Sequence, residues 1–226
     1  MSLTKKIDLE IKVPQNWSAV TLRQYLALIK DMEVYKDTPE AVDAALFHHL
    51  CGVEPKYLSK LDISIYMDIR EQLYKLINIG DSPLKRIVKI GDVNYGFEPN
   101  LSEMEYGAYL DLQKFGEVRI DENWSKIMNI LYRPVKGNVG ALYEIETYSA
   151  KDNSQKFLDI TMDVHFGAMF FFLHTLMDLL NATQNSLKKE LAKRVDKLDI
   201  TSIKSGEVTP QSINWLKGIS LNTMKF

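Results

Sequence analysis

The sequence lacks the features by which secreted and membrane proteins are recognised. It has one cysteine, Cys51, among 226 residues, which excludes an intramolecular disulfide and is typical of a reducing compartment. Residues 1–13 contain no apolar run long enough for a secretory signal. The most apolar stretch, residues 164–180, is about one turn too short to span a bilayer and contains three ionisable side chains. We therefore predict a soluble, intracellular protein with no membrane partner.

The charge is close to balanced, but it is unevenly distributed. Charged residues make up 26% of the chain and the net charge is -2, so the composition indicates neither disorder nor a polyanion-binding surface. Residues 181–226 contain eight basic and four acidic side chains, whereas the rest of the chain carries an excess of acids. The basic end contains few aromatic side chains that could stack on bases, so we favour a charged helix face docked by its leucines over the alternative, a nucleic-acid site.

The sequence contains none of the short motifs by which many enzymes are identified. It has no phosphate-binding Gly-x4-Gly-Lys-Ser/Thr or Gly-x-Gly-x-x-Gly, no zinc-binding His-Glu-x-x-His and no Gly-x-Ser-x-Gly. His48, His49 and Cys51 are the densest group of potential metal ligands, but adjacent helical side chains point about 100° apart, so we interpret His49 as a core residue. Cys51 ends a predicted helix, where the dipole disfavours a thiolate. We predict no cofactor, no metal site and no catalysis; an enzyme built from scattered carboxylates is the alternative.

Hydrophobic periodicity predicts a mainly α (α+β) domain over residues 1–197, followed by an extension or arm over residues 198–226. Thr21-x-x-Gln24 is a capping box, and Thr38-Pro39 is the preferred start of a second helix, which Gly52 ends. A Gly-Asp pair between two apolar runs at 86–90 and 93–97 predicts a β-hairpin. Further helices are expected over 64–79, after a second capping box at 102–105, over 123–132 and from residue 161. One or two extra strands are expected at 7–13 and 142–148.

Two apolar features favour partner binding. Residues 164–180 are apolar nearly all round and include Phe170, Phe171 and Phe172, so the domain itself or another subunit must cover this helix. The extension carries apolar anchors that are typical of segments docking into a neighbour's groove, although the extension could equally fold back on its own domain. These anchors are Ile213, Trp215, Leu216, Ile219, Leu221 and Phe226.

Five phrases together resemble a group of tailed-bacteriophage proteins encoded among virion-assembly genes. They are WxxxTLxQY (17–25), EYGxYLDL (105–112), ILYRPV (130–135), YxIxxY (143–148) and MDVxxGAxFF (162–171). The resemblance spans residues 17–180 and does not reach the extension. It implies a viral protein that works in virion assembly by protein–protein interaction.

The resemblance implies a tail assembly chaperone, and the alternative is a structural subunit of the tail or head–tail region that clasps its neighbours with the C-terminal arm. The expected partners are other phage structural or assembly proteins, or copies of the chain itself. The expected location is the host cytoplasm during assembly, with the virion as the alternative. The resemblance also draws attention to Arg133, which Pro134 should force out of the preceding helix. Its guanidinium could hold a carboxylate in a fork, within the chain or across an interface, but we favour capping of the preceding carbonyls.

Overall fold

The computed structural model describes residues 10–78, 82–115, 120–137 and 143–197, and this part of the chain forms seven α-helices and four short strands. The helices are α1 (Leu22–Tyr35), α2 (Pro39–Cys51), α3 (Pro55–Leu58), α4 (Ile63–Ile77), α5 (Tyr106–Lys114), α6 (Trp124–Leu131) and α7 (Met162–Lys197). The strands are β1 (Ile87–Ile90), β2 (Val93–Phe97), β3 (Tyr132–Lys136) and β4 (Glu144–Ile145). They form one antiparallel sheet in the order β1-β2-β3-β4. The predicted mainly α class with a few short strands is confirmed.

The starts of α1 and α7 are held side by side. The predicted capping box is present, since the Thr21 hydroxyl accepts a hydrogen bond from the Gln24 backbone and the Gln24 side chain accepts one from Thr21 N. Thr21 also forms an isolated antiparallel bridge with Thr161, and Met162 N donates to Val20 O at 2.7 Å. One short bridge thus fixes where both helices begin.

Two predicted turns are confirmed by their backbone geometry. Gly52 ends α2 with a φ of 71°, in the left-handed region that favours glycine, and its N–H donates to His48 O. Gly91 has a φ of 60° in the turn between Ile90 and Val93, which pair at the end of the hairpin. Local sequence therefore determines both chain reversals.

The core lies where α1, α2, α4, α6 and the first turns of α7 meet one face of the sheet. Its largest fully buried side chains are Trp124, Tyr132, Phe47, Phe97, Phe157, Leu22, Leu28, Leu46, Leu73, Leu76, Met128 and Leu131. Gly167 on α7 permits a close approach, since an added Cβ would lie 2.4 Å from the backbone oxygen of Pro83. The start of α7 therefore packs directly on the backbone that leads into β1.

Two predictions near α1 and α4 were wrong in detail. Residues 10–13 form no strand, because no neighbouring strand pairs with them; the rest of the predicted strand lies outside the described residues. Ile11 and Val13 nevertheless pack against the core, which accounts for their alternation. α4 starts one residue and ends two residues earlier than predicted, and Ile65 and Ile77 on it are 46% and 37% exposed.

The second predicted capping box does not start α5. Residues 101–103 form a 3-10 turn, and the helix begins at Tyr106 with Glu105 as its N-cap. The Glu105 carboxylate accepts hydrogen bonds from Tyr148 N and from Arg133, and these ties hold Glu105 just outside the helix. These tertiary contacts place the start of α5 about one helical turn later in the chain than the capping box predicted.

The chain leaves α6 earlier than predicted. Tyr132 is already extended, and Pro134 lies inside β3 instead of ending a helix. β4 is only two residues long, shorter than the strand expected over 142–148, although Glu146 N still donates to Pro134 O at 2.8 Å.

Contacts divide the chain into two units, Met1–Leu176 and Met177–Phe226. In the first unit, α7 buries Val164, His165 and Ala168, whereas Phe170 is only half-buried and Thr175 is exposed. The described part of the second unit, residues 177–197, is helical throughout, with Met177 and Leu187 more than half exposed.

Candidate functional site

Arg133 joins two carboxylates inside the protein. It lies on β3, is 7% exposed, and points its two terminal nitrogens at Glu98, after β2, and Glu105, before α5. Both pairs are therefore internal, but each terminal nitrogen holds a different carboxylate, so no single carboxylate is held in a fork; our favoured interpretation, capping of the helix carbonyls, was also wrong. Within the described residues its Nε has no hydrogen-bond partner.

Glu105 is the point where this cluster meets the polypeptide segment after β4. The backbone hydrogen bond from Tyr148 N, at 2.6 Å, is the largest cause of the lowered pKa of Glu105, and the hydrogen bond and charge of Arg133 add to it. Two carboxylates on one guanidinium leave the cluster with an excess of one negative charge. Since both terminal nitrogens of Arg133 are engaged internally, the cluster acts first as a tie between three segments of chain.

The three phenylalanines predicted to bind a partner point in different directions. Phe171 and Phe172 pack on Phe97 of β2, with ring centroids 5.4 Å and 6.1 Å apart from it. Phe170 turns the other way and stacks on Phe166 at 6.0 Å. Only Phe170 of the three lines an open surface groove.

We call this surface the apolar groove, and it lies between the first 3-10 helix (Trp17–Ala19), α1, the end of α4 and the start of α7. Its lining residues are Trp17, Tyr25, Leu28, Ile29, Met32, Ile77, Phe166 and Phe170. The groove encloses about 290 Å³. All eight side chains are apolar or aromatic.

The aromatic rings at one end of the apolar groove hold each other in fixed positions. Trp17, Tyr25 and Phe166 form three edge-to-face pairs with centroids 5.1 to 5.7 Å apart. Burial raises the pKa of Tyr25, so its hydroxyl stays neutral at physiological pH. The wall is therefore rigid and uncharged, and it is suited to an apolar side chain or ligand.

A buried aspartate on α2 holds α2 and α4 together. Asp43 on α2 is buried and accepts hydrogen bonds from Tyr66, Arg70 and Tyr74 of α4, at 2.6 to 3.0 Å. No sequence pattern indicates this network, since Asp43 lies 23 to 31 residues from its partners. It joins α2 to α4 through a single carboxylate.

His49 and Cys51 lie in the last turn of α2. His49 is largely buried on α2, as expected, and its Nε2 lies 2.7 Å from Asp31. Burial raises the pKa of Cys51 to about 11, which keeps the thiol protonated. In the described part of the chain, no three His, Cys, Asp or Glu side chains come together as potential metal ligands.

The remaining predicted anchors, residues 213–226, lie outside the described residues. Within the described ranges, no helix combines the length and apolarity that crossing a membrane requires. No family model, no curated protein and no solved structure matches the chain.

Proposed function

We propose that this chain is a non-enzymatic protein of tailed-bacteriophage assembly, which acts as a tail assembly chaperone by binding another phage protein. The observation that carries the proposal is the apolar groove, which is open, preformed and lined by apolar and aromatic side chains alone. A groove without a charged or nucleophilic side chain offers binding and not chemistry.

The shape of α7 supports binding by this surface. The sequence requires the apolar helix to be covered on all sides, but the described chain leaves Phe170 and Leu173 partly exposed. A partner that inserts an apolar side chain beside Phe170 would remove this surface from water at about 25 cal/mol per Å² of apolar area. The rigid aromatic wall lowers the entropy cost of binding.

The proposed setting depends on the resemblance. The specified positions of the phrases at 17–25 and 162–171 supply three of the eight groove residues: Trp17, Tyr25 and Phe170. The resemblance and the surface therefore share three of their aromatic residues. A chaperone of this kind would hold an aggregation-prone apolar segment of its partner until assembly.

The test compares two substitutions on the same helix. Met32 lines the groove, whereas Val34, two residues further along α1, is 67% exposed and does not. The full chain is used to capture its partner from infected cells, and the captured protein is purified for binding measurements. We expect Met32→Glu to weaken binding at least tenfold, because a carboxylate would be desolvated against an apolar side chain. Val34→Glu should bind within twofold of the wild type.

Equal affinities for the two variants, or capture of no phage protein, would overturn the proposal. Thermal unfolding of each variant checks that the fold is retained. Mass spectrometry of purified virions separates the two assembly roles, since a chaperone is absent from the mature particle. Stoichiometric copies in the virion would instead assign the chain as a structural subunit, and deleting residues 199–226 would then test the clasping arm.

A further inference from the structure

A polar cavity of about 330 Å³ lies between α6, β3 and the segment after β4. Its walls include Asn129 from α6 and Tyr148, Lys151, Asn153 and Lys156 from the segment after β4. The cavity contrasts with the apolar groove, because hydroxyl, amide and ammonium groups dominate its lining. Its volume is at the lower end of the range for small-ligand sites, so it fits a small polar group.

The wall formed by residues 146–154 is attached to the rest of the domain by three hydrogen bonds and stabilised by a fourth within itself. Glu146 N donates to Pro134 O at 2.8 Å, and Tyr148 N donates to the Glu105 carboxylate at 2.6 Å. The Asn129 side chain donates to Lys151 O at 3.1 Å. Ser154 N donates to the Asp152 carboxylate at 2.9 Å. A loop pinned to the sheet, to α5 and to α6 presents a preformed cavity, which reduces the cost of ordering on binding.

Cationic side chains outnumber carboxylates in the lining of the cavity. Of the described side chains that line it, Glu146 is the only carboxylate, whereas Lys151 and Lys156 are both cationic. Arg133 also lines it, but Glu98 and Glu105 already offset its charge.

The two ammonium groups keep donors free for a ligand. Neither Lys151 nor Lys156 forms an ion pair with any carboxylate of the described residues. Lys156 Nζ donates to the Tyr95 hydroxyl at 3.0 Å, which positions it at the cavity while leaving further N–H groups available. An ammonium group held in place by a neutral hydroxyl is suited to an anionic acceptor.

We propose that this cavity binds an oxyanion, a carboxylate or phosphate group, through Lys151 and Lys156 with the neighbouring amide and hydroxyl groups. The site is separate from the apolar groove, and it does not depend on the proposed function. The carboxylate would come from an acidic peptide, and the phosphate from a small phosphorylated molecule.

The experiment is an NMR titration of the full ¹⁵N-labelled chain at constant ionic strength. Sodium phosphate and an acetylated tri-glutamate amide are the two probes, and sodium chloride replaces them in the reference. We expect saturable shifts of the backbone amides of residues 146–153 and of the Asn129 side chain. Binding of phosphate alone would identify a phosphorylated ligand, binding of the peptide alone an acidic segment, and binding of both a general oxyanion site.

Matched variants test the role of the two lysines. The double substitution Lys151→Gln and Lys156→Gln should weaken binding at least tenfold, because both charge-assisted hydrogen bonds are lost. Lys89→Gln, which removes an exposed charge on β1 outside the cavity, should change it less than twofold. Both cavity lysines are exposed, so the double variant should keep the wild-type spectrum elsewhere. Shifts that do not saturate, or equal affinity in the double variant, would overturn the proposal.

Discussion

Acid should destabilise this protein through His165, a fully buried side chain on α7. The indole N–H of Trp124 donates to Nδ1 of His165 at 3.2 Å, and indole nitrogen is only a donor, so this Nδ1 must carry no proton. The proton is therefore on Nε2, which donates to Phe157 O at 3.0 Å. Both ring nitrogens are satisfied in the neutral form, and a second proton would have no acceptor.

The size of the effect follows from the pKa of His165. Burial lowers it from 6.5 to about 4, against the smaller opposing effects of hydrogen bonds to Phe157 and Ile160 and of the Asp163 charge. Between these two pH values the unfolded chain binds a proton that the folded chain does not, so stability falls as the pH falls. For a shift of this size, the loss between pH 7.5 and pH 5.0 is about 2 kcal/mol.

The measurement is urea unfolding of the wild type and of His165→Gln at pH 7.5 and pH 5.0. Glutamine can accept from Trp124 and donate to Phe157 O, but it does not titrate, so the variant should lose about 2 kcal/mol less than the wild type over this interval. Comparing the two proteins cancels the titration of every other group. His48→Gln is the control, because His48 is exposed on α2, and it should follow the wild type.

This reasoning is refuted if, between pH 7.5 and pH 5.0, the free energy of unfolding of the wild type falls no more than that of His165→Gln. Such a result would mean that the folded protein protonates the buried imidazole near pH 6, in conflict with the hydrogen-bond geometry described above. A lower overall stability of His165→Gln at pH 7.5 does not affect the test, since only the change with pH is compared.

Four further substitutions test the packing, a helix cap and a buried hydrogen-bond network by chemical denaturation. Gly167→Ala should lower the free energy of unfolding by about 2–4 kcal/mol, since the added Cβ meets the backbone oxygen of Pro83. Gly107→Ala on α5, whose Cβ would lie 3.3 Å from an aromatic ring carbon, should change it by less than about 1 kcal/mol; similar losses would contradict the predicted backbone contact. Thr21→Ala should cost about 1 kcal/mol through loss of the capping box, and no loss would show that the bridge alone sets the start of α1. Asp43→Ala should cost about 2–3 kcal/mol because a guanidinium and two phenol hydroxyls lose a shared acceptor, and a loss below 1 kcal/mol would contradict this.

Features determined by neighbouring residues could be predicted from the sequence. The capping box at Thr21, the glycine turn at Gly52 and the hairpin at 86–97 each depend on contacts within a few positions, and all three are present. The start of α5 could not be predicted in this way. Ser102 is a preferred type of N-cap residue and Glu105 is not. The helix nevertheless begins after Glu105, whose carboxylate accepts a hydrogen bond from the backbone N–H of Tyr148, 43 residues away.

The apolar pattern of α7 was similarly incomplete as a guide to the groove. It predicted that Phe170, Phe171 and Phe172 are large apolar contacts, but helical rotation sends adjacent residues to different neighbours. The position of β2 places Phe97 against Phe171 and Phe172. The position of the first 3-10 helix leaves Phe170 in the lining of the groove. Hydrophobicity identifies the residues that seek burial, and tertiary structure decides which of them remain available to a partner.

Arg133 connects the tie inside the sheet to the polar cavity beside it. Its guanidinium holds Glu105, and the same carboxylate accepts the hydrogen bond from Tyr148 N that fixes the cavity wall. Removing the guanidinium would leave the buried carboxylate of Glu98 without its cation, at a cost of several kcal/mol, and would also release one restraint on the wall. Arg133 can therefore shape the proposed oxyanion site without binding the ligand. Its charge is neutralised by Glu98 and Glu105, and its contribution is to hold the cavity wall in position.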